Sequence, residues 1–276
     1  MNFTLTKHHG LGNDFLVVFH PGVEGDEALG ALAVRLCDRR RGVGADGLLI
    51  AESAEGKAAR MYLYNADGSR AEMSGNGIRC FAQAVAMRRG VEQGRGADLQ
   101  PQLIETDAGD KLVTLTAGAD EATIEASVDM GVVSDLAEPT GWVALGCHPD
   151  RPVAHLSMGN PHSVVGVDEV GVVDLVELGA KVPHVNLEIV EPGPEPDAIT
   201  MRVHERGAGI TEACGTGACA SAHAARSWGL VASNAADITV HMDGGSAVVS
   251  FDDDRPGEVR LTGPATYVAT IDVEVS

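Results

Sequence analysis

The chain has 276 residues, 44% of them hydrophobic and only 4% aromatic, with 34 glycines and a formal net charge of −20. That composition is expected of a globular protein rich in turns, long enough for one large domain or two ordinary ones. The acidic balance argues against nucleic acid or an anionic membrane surface as a partner.

Met1 to His9 shows no basic region followed by an apolar stretch, and no apolar run is long enough to span a bilayer. No signal peptide is expected, and a cytoplasmic location follows by default. The five cysteines are an odd number without a CxxC spacing, which disfavours a disulfide framework and a zinc knuckle. Cys37, Cys80 and Cys219 read as small buried hydrophobes.

In chain order, Gly12-Asn13-Asp14-Phe15-Leu16-Val17-Val18 is the first of several segments that recur. It returns 147 residues later as Gly159-Asn160-Pro161-His162-Ser163-Val164-Val165. Asp46–Ile50 is echoed 140 residues on by Asn186–Val190, and Met61–Asn65 by Met201–Glu205. The last pair alternates enough for strands. Glu72-Met73-Ser74-Gly75-Asn76-Gly77 then recurs, at the same offset of 140, as Glu212-Ala213-Cys214-Gly215-Thr216-Gly217. The echoes keep one order in both halves, which chance does not readily produce.

Behind each copy of the last motif the pattern predicts a helix, over Ile78–Arg89 before Gly90 and over Ala218–Trp228 before Gly229. Small side chains suit both helices to tight burial at the centre of each half. Strands are expected at Lys111–Thr116, Thr123–Val128, Ile199–Val203, Ile238–Met242, Ala247–Phe251 and Val259–Thr262, with a hairpin turn at Asp243-Gly244-Gly245 and a surface loop at Glu191–Asp197. The fold class is therefore α+β: two pseudo-symmetric domains, each a mainly antiparallel sheet around a central helix, with a ligand site expected at their junction. The boundary is placed near residues 118–123, giving halves 1–120 and 121–263. The last strand, Thr266 to Val275, is expected to rejoin the first half as part of a segment of about 264–276.

A helix N-terminus presents unpaired N–H groups and the positive end of the helix dipole, so each doubled motif sets a hydroxyl or thiol beside an anion site. Cys214 is a candidate reactive thiol, its pKa expected to fall from ~8.5 toward or below neutrality in that setting. His162 is the natural imidazole to assist it. Asn13, Asn65, Asn160 and Asn186 stand at equivalent strand ends and suit an amino-acid ligand, and Glu205-Arg206 supplies one charge of each sign. Taken singly, each Asn is a turn residue and each GxG a turn before a helix. Recurrence gives them weight.

Over essentially its whole length the chain resembles the diaminopimelate epimerases, cofactor-independent isomerases of lysine and cell-wall biosynthesis. The resemblance rests on His9-Gly10-Leu11-Gly12-Asn13-Asp14-Phe15, Asn65-Ala66-Asp67-Gly68-Ser69, Gly75-Asn76-Gly77, Met158-Gly159-Asn160-Pro161-His162, and Glu205-Arg206-Gly207-Ala208-Gly209 running to Ala213-Cys214-Gly215-Thr216-Gly217. It implies two-sided proton transfer at an amino-acid α-carbon, without pyridoxal phosphate or metal. By resemblance, Cys214, Ser74, His162 and Glu205 carry catalysis. Gly75, Asn76, Gly215 and Thr216 hold the α-carboxylate, and Asn13, Asn65, Asn160, Asn186, Glu205 and Arg206 hold the remainder of diaminopimelate. A homodimer is also implied, although Ala269 stands where some relatives carry an aromatic associated with the dimer contact.

The chain departs from the family pattern at Ser74, where the first catalytic cysteine is expected. Gly47 likewise stands where relatives offer a polar side chain. A hydroxyl is a much weaker acid than a thiol, and acid–base work is best done by a group titrating near the operating pH. Four readings stay open on the sequence: a native Ser/Cys epimerase, an engineered Cys→Ser form, a one-base superfamily relative such as a hydroxy-amino-acid dehydratase, and a non-catalytic amino-acid-binding protein.

Overall fold

The two helices expected from the doubled motif organise everything around them. In the computed structural model, which describes residues 2–90, 100–252 and 254–274, the chain divides into two units. One runs to Val128 and resumes at Gly263; the other is Asp129–Thr262.

The first unit begins with β1 (Asn2–Gly10) and β2 (Asn13–Phe19), then α1 (Asp26–Cys37), β3 (Gly47–Glu52), β4 (Ala59–Asn65) and β5 (Arg70–Ala71). It continues through α2 (Gly75–Arg88), β6 (Gln102–Thr106), β7 (Gly109–Ala117) and β8 (Thr123–Val132), which leads into the second unit. There the same order repeats: β9 (Ser134–Asp135), β10 (Val153–Ser157), β11 (Pro161–Gly166), α3 (Leu175–Lys181), β12 (Asn186–Pro192), β13 (Ala198–Glu205) and β14 (Gly209–Thr211). It closes with α4 (Gly215–Trp228), β15 (Asp237–Met242), β16 (Gly245–Phe251) and β17 (Glu258–Glu274), whose far end returns to the first unit. Val275, the last residue expected in that strand, lies outside the described residues.

Within the first unit the strands close on themselves. Pairing passes from β4 through β3, β2, β1, β17, β8, β7 and β6 and back to β4. Most pairs are antiparallel, but β2–β3 and β4–β6 are parallel. The second unit repeats this pattern, with β11–β12 and β13–β15 as its parallel pairs. A closed ring leaves no unpaired edge, and each strand turns one face toward the helix inside.

α2 fills the first ring and touches β1, β2, β4 and β7. Ile78, Phe81 and Val85 are buried there, each contributing ~1.5–3 kcal/mol by leaving water. α4 fills the second ring against β10, β11, β12, β13, β15 and β16. Its Ala218, Ala220, Ala222, Ala224 and Ala225 let those strands approach closely. Both helices begin three residues before the apolar periodicity does, because the glycines of the motif already form their first turn. α1 and α3 were not legible in the sequence. α1 packs Leu29, Leu32, Ala33 and Leu36 outside the sheet against Leu16, Leu48 and Ile50.

One echo needs correcting. Phe15 pairs with Gly47 across β2–β3, whereas its repeat mate His162 pairs with Asn186 across β11–β12. Asn186 is thus the counterpart of Gly47, not of Asp46, and Glu188 is the counterpart of Leu49. Sequence alignment of these strands was one residue out of step, which in a strand exchanges the two faces.

Candidate active site

Ser74 is the N-cap of α2: its backbone is extended, at φ −138° and ψ 125°, and its Oγ accepts the Gly77 N–H at 3.0 Å. Cys214 caps α4 in the same way, with φ −129° and ψ 112°, its Sγ accepting the Gly217 N–H at 3.4 Å. Serine is a favoured cap and cysteine is not, so the thiol is there for a reason other than helix initiation. The first N–H groups of each helix have no acceptor within the helix itself.

In the first unit a directed chain of hydrogen bonds supports the cap. Arg79 donates to Gly75 O at 3.1 Å, to Asn76 Oδ1 at 2.8 Å and to Pro264 O at 3.3 Å. Asn76 Nδ2 donates to Asn13 Oδ1 at 3.1 Å, and Asn13 Nδ2 to Asp46 Oδ2 at 2.8 Å. Arg39 bridges Asp46 and Asp14. The structure therefore brings Asn13 and Asn76 together at the first turn of α2. Asn65, at the end of β4, pairs across the strand with Gly47 and donates to Ser69 Oγ at 3.0 Å.

The second unit surrounds its cap with ionisable groups. Thr216 Oγ1 lies 3.5 Å from Cys214 Sγ, and Asn160 Nδ2 donates to that hydroxyl at 3.3 Å. His162 Nε2 meets Asn160 Oδ1 at 3.0 Å, while its Nδ1 meets Glu188 Oε1 at 2.7 Å. Asn186, beside His162 across the strands, accepts the backbone N–H of Arg206 at 2.8 Å. Glu205 accepts Thr211 Oγ1 at 2.5 Å and also hydrogen-bonds Cys214. The guanidinium-bearing Arg206 is exposed.

The expected lowering of the Cys214 pKa is reversed. Burial raises it well above the ordinary thiol value, and the charges of Glu205 and Glu188 raise it further; bonds from Thr216 and the Gly217 N–H pull the other way and lose. Glu205 is raised as well, because desolvation of its enclosed carboxyl group outweighs the bonds from Thr211 and Cys214. Glu205 and Cys214 thus both resist ionising, each chiefly because it is desolvated. His162 is committed at both nitrogens to Glu188 and Asn160, and the carboxylate bonded to the thiol is Glu205.

Sequence reading missed Glu188, Arg79 and Asp46. Glu188 did carry a signal, since a lone Glu within Leu187-Glu188-Ile189-Val190 is a charge in a run otherwise fit for a core. Arg79, wholly buried in the Ala-rich α2, carried a similar one. Cys37 and Cys80 are buried thiols, each pushed up to about 12 chiefly by burial, as inert cysteines should be. Among the described residues no cluster of three or more His, Cys, Asp and Glu is placed to hold a metal ion, and no helix is long and apolar enough to cross a membrane.

Solved structures share this fold at low sequence identity. A predicted epimerase from Pseudomonas aeruginosa superposes with a TM-score of 0.77 at 17% identity, covering 99% of this chain and 100% of that one. A hydroxyproline epimerase from Agrobacterium vitis gives 0.71 at 16%, covering 99% and 92%. The fold is thus the one these two structures share.

The family follows from sequence. A family model for diaminopimelate epimerase matches residues 5–135 and 154–268. The diaminopimelate epimerase of Synechococcus elongatus is 36% identical over 100% of both chains, and that of Desulfitobacterium hafniense 36% identical over 96% of this chain and 95% of its own. This chain belongs to the diaminopimelate epimerase family.

Proposed function

We propose that the protein interconverts L,L- and meso-diaminopimelate, a step in supplying lysine and peptidoglycan precursors, by moving a proton at the α-carbon. The observation that carries this is the pair of matched caps: Ser74 Oγ on Gly77 N at 3.0 Å and Cys214 Sγ on Gly217 N at 3.4 Å.

An amino-acid α-proton is very weakly acidic, so the charge that develops must be held as it forms. N–H groups of Gly75, Asn76, Gly215 and Thr216 at the helix N-termini are assigned to the α-carboxylate. Glu205 takes the thiol proton of Cys214, and the thiolate then removes the α-proton. Inversion requires delivery to the opposite face, assigned to the Ser74 hydroxyl, which recovers its proton from solvent. Asn13, Asn65, Asn160, Asn186 and Arg206 are assigned to the rest of the substrate. The scheme uses no pyridoxal phosphate.

The test is incubation with L,L-diaminopimelate in deuterated water, reading α-hydrogen exchange and stereochemistry. Exchange with meso product supports the proposal. Exchange without inversion would leave one working base at Cys214, and binding without exchange would leave an amino-acid binder.

A further inference from the structure

Three side chains of the turn after β4 hold one another in a fixed sense. Ser69 Oγ donates to Asp67 Oδ1 at 2.5 Å, and the same oxygen accepts the Ser69 backbone N–H at 2.8 Å. Those two bonds hold the Asp67 carboxyl group below the usual carboxylate range, so it is ionised and can only accept. A serine hydroxyl has a single hydrogen, and here Asp67 takes it. Ser69 Oγ can therefore meet Asn65 only as an acceptor, and Asn65 Nδ2 donates to it at 3.0 Å. Turning the Asn65 amide over would set Oδ1 against Oγ with no hydrogen between them. The carbonyl oxygen of this exposed residue thus faces away from Ser69, and no donor among the described residues meets it.

The turn does not need these side chains to close. Its backbone is already tied, Asn65 N–H to Ser69 O at 2.8 Å and Gly68 N–H to Asn65 O at 2.9 Å. α1 backs it closely: a Cβ on Gly30 would come within 2.7 Å of Gly68 O. At the equivalent place in the second unit, 140 residues on, Gly207 and Gly209 stand for Asp67 and Ser69, and Ala208 N–H still reaches Glu205 O at 3.2 Å. What the Asp67–Ser69 pair adds is the orientation of one exposed amide.

We propose that Ser69, its hydroxyl hydrogen held by Asp67, is a positioning residue that fixes Asn65 with its carbonyl oxygen outward, as an acceptor for an ammonium group of the substrate. The inference rests on the proposed function, in which Asn65 touches diaminopimelate, and deepens it by naming the group. An amide turned the other way would present N–H to the ammonium and repel it.

In protein labelled with nitrogen-15 and carbon-13, an Asn65 side-chain amide proton should show a nuclear Overhauser contact with the Ser69 β-protons. Absence of that contact would overturn the proposal. Kinetics with L,L-diaminopimelate give the second readout. Ser69→Ala should raise KM by roughly three- to tenfold, the worth of one hydrogen bond, with kcat changed by less than about twofold. Asn65→Asp supplies the control, because a carboxylate has two like oxygens and cannot be turned the wrong way. Adding Ser69→Ala to that variant should leave KM unchanged. A serine that merely held the turn would raise KM equally in both backgrounds, and that result would also overturn the proposal. If the protein does not turn over L,L-diaminopimelate, the proposed function falls, while the amide contact still decides the orientation of Asn65.

Discussion

Glu188 lies directly beneath Gly217: a Cβ added to that glycine would come within 2.7 Å of Glu188 Oε1. At the equivalent place in the first unit, a Cβ on Gly77 would meet Leu49 Cδ2 at 3.5 Å, an ordinary contact, and the Ser74 Cβ at 3.1 Å. The same helix turn thus rests on a carboxylate in one unit and on a leucine in the other. Gly217 is required by what lies under it more than by its own backbone.

Gly217→Ala should therefore displace Glu188 from His162 and destabilise the protein by ~1–3 kcal/mol, the usual range for forcing an atom into a packed site. Gly77→Ala should cost less, since its neighbours have only tenths of an ångström to give. Urea unfolding of the two variants checks the order; equal losses would contradict the account of Glu188.

Ser74→Cys should raise the rate of diaminopimelate inversion by ~10²–10⁴, the value of a positioned acid or base of suitable pKa. The substitution adds little volume at a half-buried cap. Steady-state rates of both forms settle it, and equal rates would remove Ser74 from the proton path.

His8 sets an acid limit on stability. Burial, with the neighbouring charge of His9, lowers its pKa from 6.5 to about 4 against the bond to Gln83. The unfolded chain protonates near 6.5 and the folded chain does not until about 4, so stability present above that window is lost as pH falls through it. The loss should approach ~3 kcal/mol by the lower end. His8→Gln should flatten the fall of the urea midpoint across this window; an unaltered slope would assign the acid sensitivity to other groups.

Arg79 donates to Gly75 O, Asn76 Oδ1 and Pro264 O from full burial. A lysine there keeps the charge but lacks the planar fork that reaches three oxygens in different directions. Arg79→Lys should cost ~2–4 kcal/mol, because it leaves buried acceptors and a poorly paired cation. A thermal midpoint close to that of the unaltered protein would show the fork to be dispensable.

Much of the fold could be read from the chain because its signals are local. Alternating apolar residues, glycines after helices and a two-residue hairpin at Asp243-Gly244 each act within a few residues, and the doubled motif exposed the internal repeat. The caps at Ser74 and Cys214 were legible for the same reason. Strand register was not: it depends on partners such as Phe15 and Gly47, far apart in sequence, and the echo of Asp46–Ile50 in Asn186–Val190 was one residue out of step. The chemistry of Cys214 was the least legible. The residue types and the helix N-terminus that favour a thiolate are written in the sequence. Whether the thiol ionises depends on burial and on carboxylates from β12 and β13, which only the tertiary structure brings to the sulfur, and there they outweigh the helix.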